Sequence, residues 1–248
     1  MNQISRRSVS IIIPAYNEEG NIQAAIDSVI NAVKPLVSSY QVIVIDDGSQ
    51  DATRETALER AKLDPKVMVI SNEGNKGFGY SYARGVRLAE MDYVTVFPGD
   101  NDMAGDSLAK LVAEVGDTDL VISYMSKNNK RSLFRRSVSK LFVFVMNTLF
   151  GLKLEYYNGA FICRTQVLKT IPIKSVGLAT LAECLVRMIK AGYSYKSIYF
   201  EHTGRKSDHS KAFKFKNVWA VVLTIGILIK DIYLTSSQQQ KKLCSTSS

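Results

Sequence analysis

The chain has 248 residues, 46% of them hydrophobic and 22% charged, ordinary globular values with room for one large α/β domain. Its 32 Lys and Arg against 23 Asp and Glu give a formal net charge of +9. That excess favours an anionic partner, whether nucleic acid, nucleotide phosphate or anionic membrane, without choosing among them. The scattered cysteines, Cys163, Cys184 and Cys244, exclude a disulfide framework or a cysteine metal site and suit a reducing, cytoplasmic setting.

The first apolar run, Val9 to Ile13, is too short for a signal peptide and meets Pro14 at once. It predicts a strand over 8–14, with the polar end Ala15-Tyr16-Asn17-Glu18-Glu19, and a helix follows over 21–33. A second strand, 41–46, ends in Asp46-Asp47-Gly48, and Ser49-Gln50-Asp51-Ala52 reads as the capped entry to a helix over 52–63. A third strand covers 67–71, and Gly77 and Gly79 give a flexible turn before a helix over 80–89. The strand 93–97 ends in Pro98-Gly99-Asp100-Asn101-Asp102, followed by a helix over 107–115 and a strand over 120–123. Strands alternating with helices imply a parallel sheet covered on both faces, with right-handed crossovers.

The second half reads differently. A long helical pattern, 134–152, begins with Arg135, Arg136 and Lys140 and then turns apolar. A helix over 180–190 and a strand over 195–201 come next, then a basic loop over 204–216 that holds Arg205, Lys206 and Lys211. The clean apolar run 218–229 lies between Lys216 and Lys230. As a helix it would cover ~18 Å, against ~30 Å for a bilayer core, so it should not span a membrane alone. The tail 236–248 is polar, low in complexity and expected to be disordered.

Three strand ends therefore carry acids on one edge of the sheet, and one offers the Tyr16 ring. In an open α/β sheet that edge is where ligands bind. Asp46 and Asp47 could cap the next helix, but two adjacent acids exceed what capping needs. A carboxylate there can accept from a base ring N–H, selecting uracil or guanine over adenine. Asp100 and Asp102 form an Asp-x-Asp pair; the turn chemistry of Pro-Gly-Asp-Asn explains it without a ligand. Their place beside the Asp46 pair favours Mg²⁺ or Mn²⁺, which take one or two carboxylates plus substrate phosphates. Glu183 reads evenly as half of an i,i+4 pair with Arg187 or as a general base. His202 and His209 lack metal or triad spacing and read as surface residues.

The run Ile12-Ile13-Pro14-Ala15-Tyr16-Asn17-Glu18-Glu19, followed by Asp46-Asp47-Gly48-Ser49-Gln50-Asp51-Ala52-Thr53, resembles the inverting, nucleotide-sugar glycosyltransferases of family 2. Within them it looks most like the dolichol-phosphate mannose synthase and polyprenyl-phosphate glycosyltransferase branch, from Val9 to about Lys211. The resemblance implies a GT-A fold, a mostly parallel Rossmann-like sheet with helices on both faces. It implies that Pro14, Tyr16, Glu18, Asp46 and Asp47 hold the nucleoside, with Lys76 near the donor. Asp100 matches the final acid of the family's metal motif; Pro98 stands where its first acid is usual, which shifts the pair to Asp100 and Asp102. The stretch Arg135 to Lys140, with Ser139, looks like the family's basic stretch near the acceptor phosphate. Arg205 to Lys211 looks like its late Arg-x-x-Gly-x-Ser-Lys motif, with Asp208 at the glycine position. Asp100, Arg205 and Lys211 are thus the residues expected to carry catalysis. Tyr156 replaces an acid common before the region of Gly159-Ala160-Phe161, and the extra transmembrane helices of some relatives are not seen.

The expected activity is metal-dependent transfer of a sugar, with inversion, from a nucleotide-diphosphate donor to a polyprenyl phosphate. Transfer to a saccharide hydroxyl, with Glu183 as base, or non-catalytic nucleotide-sugar binding are the alternatives. No nucleic-acid motif accompanies the charge. A GT-A domain is expected over 1–215, an interfacial segment over 216–235 and a tail beyond. The basic starts and apolar bodies of 134–152 and 218–234 suit helices lying in a membrane surface. The bland alternative is that both are core helices. The expected location is cytoplasmic, peripheral on the inner face of a membrane, with a membrane-protein partner or homo-oligomer left open.

Overall fold

The computed structural model describes residues 7–125, 133–177, 179–200 and 215–235. Its centre is the strand β1 (Ser8–Ala15), whose Ile11, Ile12 and Ile13 are all 0% exposed. A continuous apolar run of this kind, rather than an alternating one, is what a strand covered on both faces requires. The sheet has seven strands in the order β3-β2-β1-β4-β6-β5-β7. They are β2 (Ser39–Asp46), β3 (Val67–Ser71), β4 (Tyr93–Val96), β5 (Leu120–Met125), β6 (Phe161–Arg164) and β7 (Tyr195–Phe200). All run in one direction except β6, which is antiparallel to both β4 and β5.

β6 and the short helix α6 (Thr165–Thr170) are elements that the sequence pattern did not reveal. Four residues are too few to establish a period, and neither Gly159 nor Thr165 marks a strand end by itself. The other strands lie within a few residues of their expected bounds. So do α1 (Ile22–Val33), α2 (Thr53–Leu63), α3 (Phe78–Leu88), α4 (Gly105–Ala113), α5 (Leu133–Phe150) and α7 (Thr180–Lys190). The last helix, α8 (Phe215–Ile229), runs into a single π-helical turn, Lys230–Thr235. The tail 236–248 and the basic loop 201–214 lie outside the described residues.

Two apolar cores form, one on each face of the sheet. Ile22, Ala25, Ile26, Val29, Ile30 and Val33 of α1 fall at helical spacing and pack with Ile11, Ile13, Val42 and Val44. On the other face α3, α5, α7 and α8 gather around Ile12, Ile43, Val94 and Ile122. The helix α8 has two characters. Leu228 is buried and Ile225, Ile229 and Ile232 pack on this core, while Trp219, Val222 and Leu223 are exposed. One side of 218–234 thus belongs to the core, as the core-helix reading expected, and the other side is exposed.

The helix α3 lies very close to β1. A Cβ on Gly85 would come within 2.4 Å of the Ile12 Cγ2 atom. Gly85→Ala should therefore force Ile12 off its rotamer and cost about 1–3 kcal/mol. Urea unfolding checks this; an unchanged midpoint would show that α3 can retreat from the sheet.

Candidate active site at the β1–β4 switch point

From β1 the chain builds β2 and β3 on one side and then crosses back to place β4 on the other. In an open α/β sheet a switch point of this kind, at the carboxyl ends of the strands, is where ligands bind. Gly99 packs tightly there: a Cβ on it would lie 2.8 Å from the Pro14 carbonyl oxygen and 3.1 Å from Ala15 Cβ. This close approach brings the start of the loop after β4 to the end of β1. Asn17 (φ 55°) and Asn101 (φ 53°) are the non-glycine residues with positive φ among those described, and they sit at these two strand exits. Asn tolerates that conformation better than most residues, and such strain gathers at functional sites.

The loops after β1 and β2 are latched together. The Asn17 amide donates to Ser49 Oγ at 3.0 Å, and the Gln50 amide donates to Asn17 Oδ1 at 2.9 Å. Glu18 N–H donates to Thr53 Oγ1 at 2.7 Å, and Ala52 N–H to Glu19 Oε2 at 3.0 Å. Asp51 accepts from the Thr53 amide at 3.0 Å and the Glu19 amide at 3.2 Å just ahead of α2, whose N-cap residue Ala52 makes no side-chain capping bond. Burial pushes the Asp51 carboxyl up, but these bonds and the Thr53 hydroxyl outweigh it and leave it below the usual range. Pro14, Tyr16 and Glu18 are all partly exposed along this latch.

Asp46 and Asp47 divide the work. Asp46 is 2% exposed and accepts from the Ser49 amide at 3.0 Å, which shapes the turn after β2. Asp47 is 5% exposed and gathers the loop after β3. Its Oδ1 accepts from Asn72 Nδ2 at 2.7 Å, Ser81 Oγ at 3.0 Å and the Lys76 amide at 3.0 Å. Its Oδ2 accepts from the Gly77 amide at 2.8 Å. Arg84 Nη1 donates to Asn72 Oδ1 at 2.6 Å and to the Ser71 carbonyl at 2.7 Å, which turns the Asn72 amide group toward Asp47. The carboxylate thus holds residues 72–77 at the end of β2, with the Lys76 side chain exposed on the loop. Gly48 (φ 72°) permits the contact on the other side, since a Cβ there would be 2.4 Å from Gly74 Cα. Asn72, Ser81 and Arg84 were missed from the sequence; their types carry no signal until the fold sets them around one acid.

Asp100 and Asp102 are partly exposed and share one turn, in which the Asp102 amide donates to Asp100 Oδ1 at 3.1 Å. Among the described residues no group of three or more His, Cys, Asp or Glu side chains could hold a metal ion. Two partly exposed carboxylates in one turn nevertheless fit the way Mg²⁺ and Mn²⁺ bind beside a diphosphate, with phosphates and water completing the shell.

The candidate base Glu183 is enclosed in the core, 0% exposed. Its Oε1 accepts from Arg187 Nε at 2.9 Å and Nη2 at 2.8 Å, and its Oε2 accepts from the Ser175 amide at 2.8 Å. The structure therefore places it in the i,i+4 pair; it presents no surface to a substrate as a base would. On α5, Ser139 is partly exposed and Lys140 exposed, while the side chain of Arg135 lies outside the described residues. Arg205, Lys211, His202 and His209 also lie outside them. Cys163 and Cys184 are buried and unbonded, and burial pushes both thiols well above their usual range.

The mostly parallel sheet, with its switch point between β1 and β4 and acids at or just beyond its strand ends, is a GT-A-like fold. The chain belongs to the family described as glycosyl transferase family 2, whose model matches residues 10–171. It is 31% identical over 142 residues to an undecaprenyl-phosphate 4-deoxy-4-formamido-L-arabinose transferase of Aeromonas hydrophila subsp. hydrophila, covering 57% of this chain and 44% of that protein. The enzyme of the same name from Yersinia pestis is 29% identical over 154 residues, covering 61% of this chain and 47% of that one. The chain thus spans less than half the length of these relatives. In fold it is similar to glucosyl-3-phosphoglycerate synthase from Mycobacterium tuberculosis, solved with Mn²⁺, UDP and phosphoglyceric acid. That match has a TM-score of 0.66 at 22% identity and covers 89% of this chain and 79% of the other.

Proposed function

We propose that this transferase moves a sugar with inversion from a nucleotide-diphosphate donor to a polyprenyl phosphate. The observation that carries the reading is the close approach of three strand ends: the Asp47 amide donates to the Ala15 carbonyl at 2.8 Å, and a Cβ on Gly99 would lie 2.8 Å from the Pro14 carbonyl oxygen. The acceptor is proposed from the likeness to the undecaprenyl-phosphate transferases. Tyr16, with Pro14 and Glu18, lines the nucleoside side, and Asp46 and Asp47 shape the base pocket. Asp100, with Asp102, would hold Mg²⁺ or Mn²⁺. A bound divalent ion neutralises charge developing on the departing diphosphate. Lys76 adds positive charge from the 72–77 loop, and Arg205 and Lys211 are proposed to do so from the basic loop.

An acceptor phosphate oxygen attacks the anomeric carbon as the bond to the diphosphate breaks, and the nucleoside diphosphate leaves with the electron pair. The attacking oxygen is already ionised, so no strong base is needed. The burial of Glu183 in an ion pair favours this route over transfer to a saccharide hydroxyl. Purified protein incubated with UDP- and GDP-sugars, Mn²⁺ and a short polyprenyl phosphate tests the proposal. A sugar phosphodiester of the lipid is expected. Donor turnover that needs a saccharide and ignores the lipid would overturn it.

The acceptor's tail requires contact with a membrane. No described helix is long and apolar enough to cross one. Instead Leu141 and Phe144 of α5 are 62% and 67% exposed, and Trp219 of α8 is 57% exposed. Arg136 and Lys140 are exposed on the same stretch of α5 as Leu141 and Phe144. Apolar side chains next to cations suit a helix lying at headgroup level, at ~1 kcal/mol per well-placed charge. In this arrangement the protein is peripheral, on the cytoplasmic face where nucleotide sugars are met. The protein should float with anionic vesicles and lose binding as salt rises. Phe144→Glu combined with Trp219→Glu should leave it in the soluble fraction at any lipid composition. Equal flotation of the variant would assign these side chains to another contact.

A further inference from the structure

The turn Gly77–Gly79, at the start of α3, is gripped from two sides. Asp47 accepts from the Lys76 and Gly77 amides on one side. On the other lies a strap of chain, residues 171–177, between α6 and α7. The Gly79 amide donates to the Val176 carbonyl at 3.1 Å. A Cβ on Gly77 would lie 2.6 Å from the Val176 carbonyl oxygen, and one on Gly79 would lie 2.2 Å from that of Ser175. Strap and turn therefore meet at their backbones, with the Thr180 hydroxyl beside them, 2.3 Å from the same Gly79 Cβ position.

Behind the strap stands Glu183. Its Oε2 accepts from the amides of Ser175 at 2.8 Å and Lys174 at 3.1 Å, which fixes the strap on α7. Arg187 holds that carboxylate and also donates from Nη2 to Asp231 Oδ2 at 2.8 Å. Lys174 Nζ meets the same Asp231 oxygen at 2.6 Å. Asp231 belongs to the π-helical turn that ends α8, and π-turns inside helices are frequent at functional positions. Its carboxyl is held below the usual range, first by Lys174 and then by Arg187. A continuous set of contacts thus runs from the last helix to the loop that carries Lys76.

We propose that Glu183 and Asp231 are positioning residues for donor binding: α8, through this cluster, holds the strap that sets the Gly77–Gly79 turn. The inference rests on reading residues 72–79 as the donor loop. Its physical basis is that Arg187 is 9% exposed and orients Glu183 correctly only while Asp231 shares its charge. An ion pair that only stabilised the fold would leave the loop unchanged when weakened.

The test uses the full chain, with UDP and GDP as probes in the presence of Mn²⁺. Asp231→Asn should weaken binding of the preferred nucleotide by roughly 5–10-fold in calorimetry, the low end of couplings between separate sites. Hydrogen exchange at the amides of residues 76–79 should quicken, while β1 and β2 stay protected. Lys174→Met, which removes one partner of Asp231 from a side chain 47% exposed, should shift both readouts the same way by less. Asp231→Glu should restore them in part. If Asp231→Asn does not fold, Lys174→Met decides. Unchanged affinity and unchanged loop exchange in the folded variants would overturn the proposal. A wild-type chain that binds neither nucleotide would overturn the donor-site reading instead, and loop exchange would still decide the positioning.

Discussion

Asp100→Asn should lower metal-dependent turnover by about 10²–10³-fold, roughly 3–4 kcal/mol of transition-state stabilisation. The substitution keeps the size of the side chain and removes the negative charge that would hold the cation beside the donor diphosphate. The loss should be greatest at limiting Mn²⁺ and shrink as the metal is raised, because a weaker site can still be filled. Donor binding without metal should change little, since Tyr16 and the Asp47-bound loop remain. Steady-state rates over a metal titration, paired with calorimetry in chelator, separate these effects. Near-normal turnover at limiting metal would remove Asp100 from the metal site and leave its turn as its whole role.

The second large effect is expected at Asp47. Alanine there removes the acceptor for Asn72, Ser81, Lys76 and Gly77 in one step. A buried donor left without a partner costs about 1–3 kcal/mol, so the sum is several kcal/mol even if water enters and rescues part of it. That is a large share of the ~5–15 kcal/mol that holds an ordinary domain together. Asp47→Asn is the more informative variant. Its oxygen can still serve one side of the loop, but its amide group then faces an N–H group on the other. The loop should open locally, with nucleotide affinity falling more than the unfolding midpoint does. Affinity for the acceptor should change less than affinity for the donor. Nucleotide affinity preserved in both variants would sink the assignment of residues 72–77 to the donor.

Part of the site was legible because it lies in single short runs. Strand ends can be read from a hydrophobic period that stops at Pro14, Asp46 or Pro98, and parallel strands put those ends on one edge. That reasoning put Tyr16, Asp46, Asp47 and Asp100 at or just beyond strand ends, where the structure also has them. The network around Asp47 was not legible, because Asn72 and Ser81 stand 25 and 34 positions away and neither type announces a partner. Glu183 is the clearest case of a pattern with two outcomes. Its spacing to Arg187 was readable, but whether the pair faced a crevice or the core was not.

The sequence alone determined the alternation of β-branched strands with helices, the acids at the strand ends and the family motif, since each depends on neighbours a few residues apart. The tertiary structure alone decided four other matters. It set β6 antiparallel between β4 and β5, a placement that its four residues could not encode by period. It buried Glu183 and linked Arg187 to Asp231 across 44 positions. It divided α8 into a core side and an exposed side. It gave Asp47 a loop to hold. All four depend on which surfaces meet when the sheet closes, and burial is a property of that meeting rather than of any single run of residues.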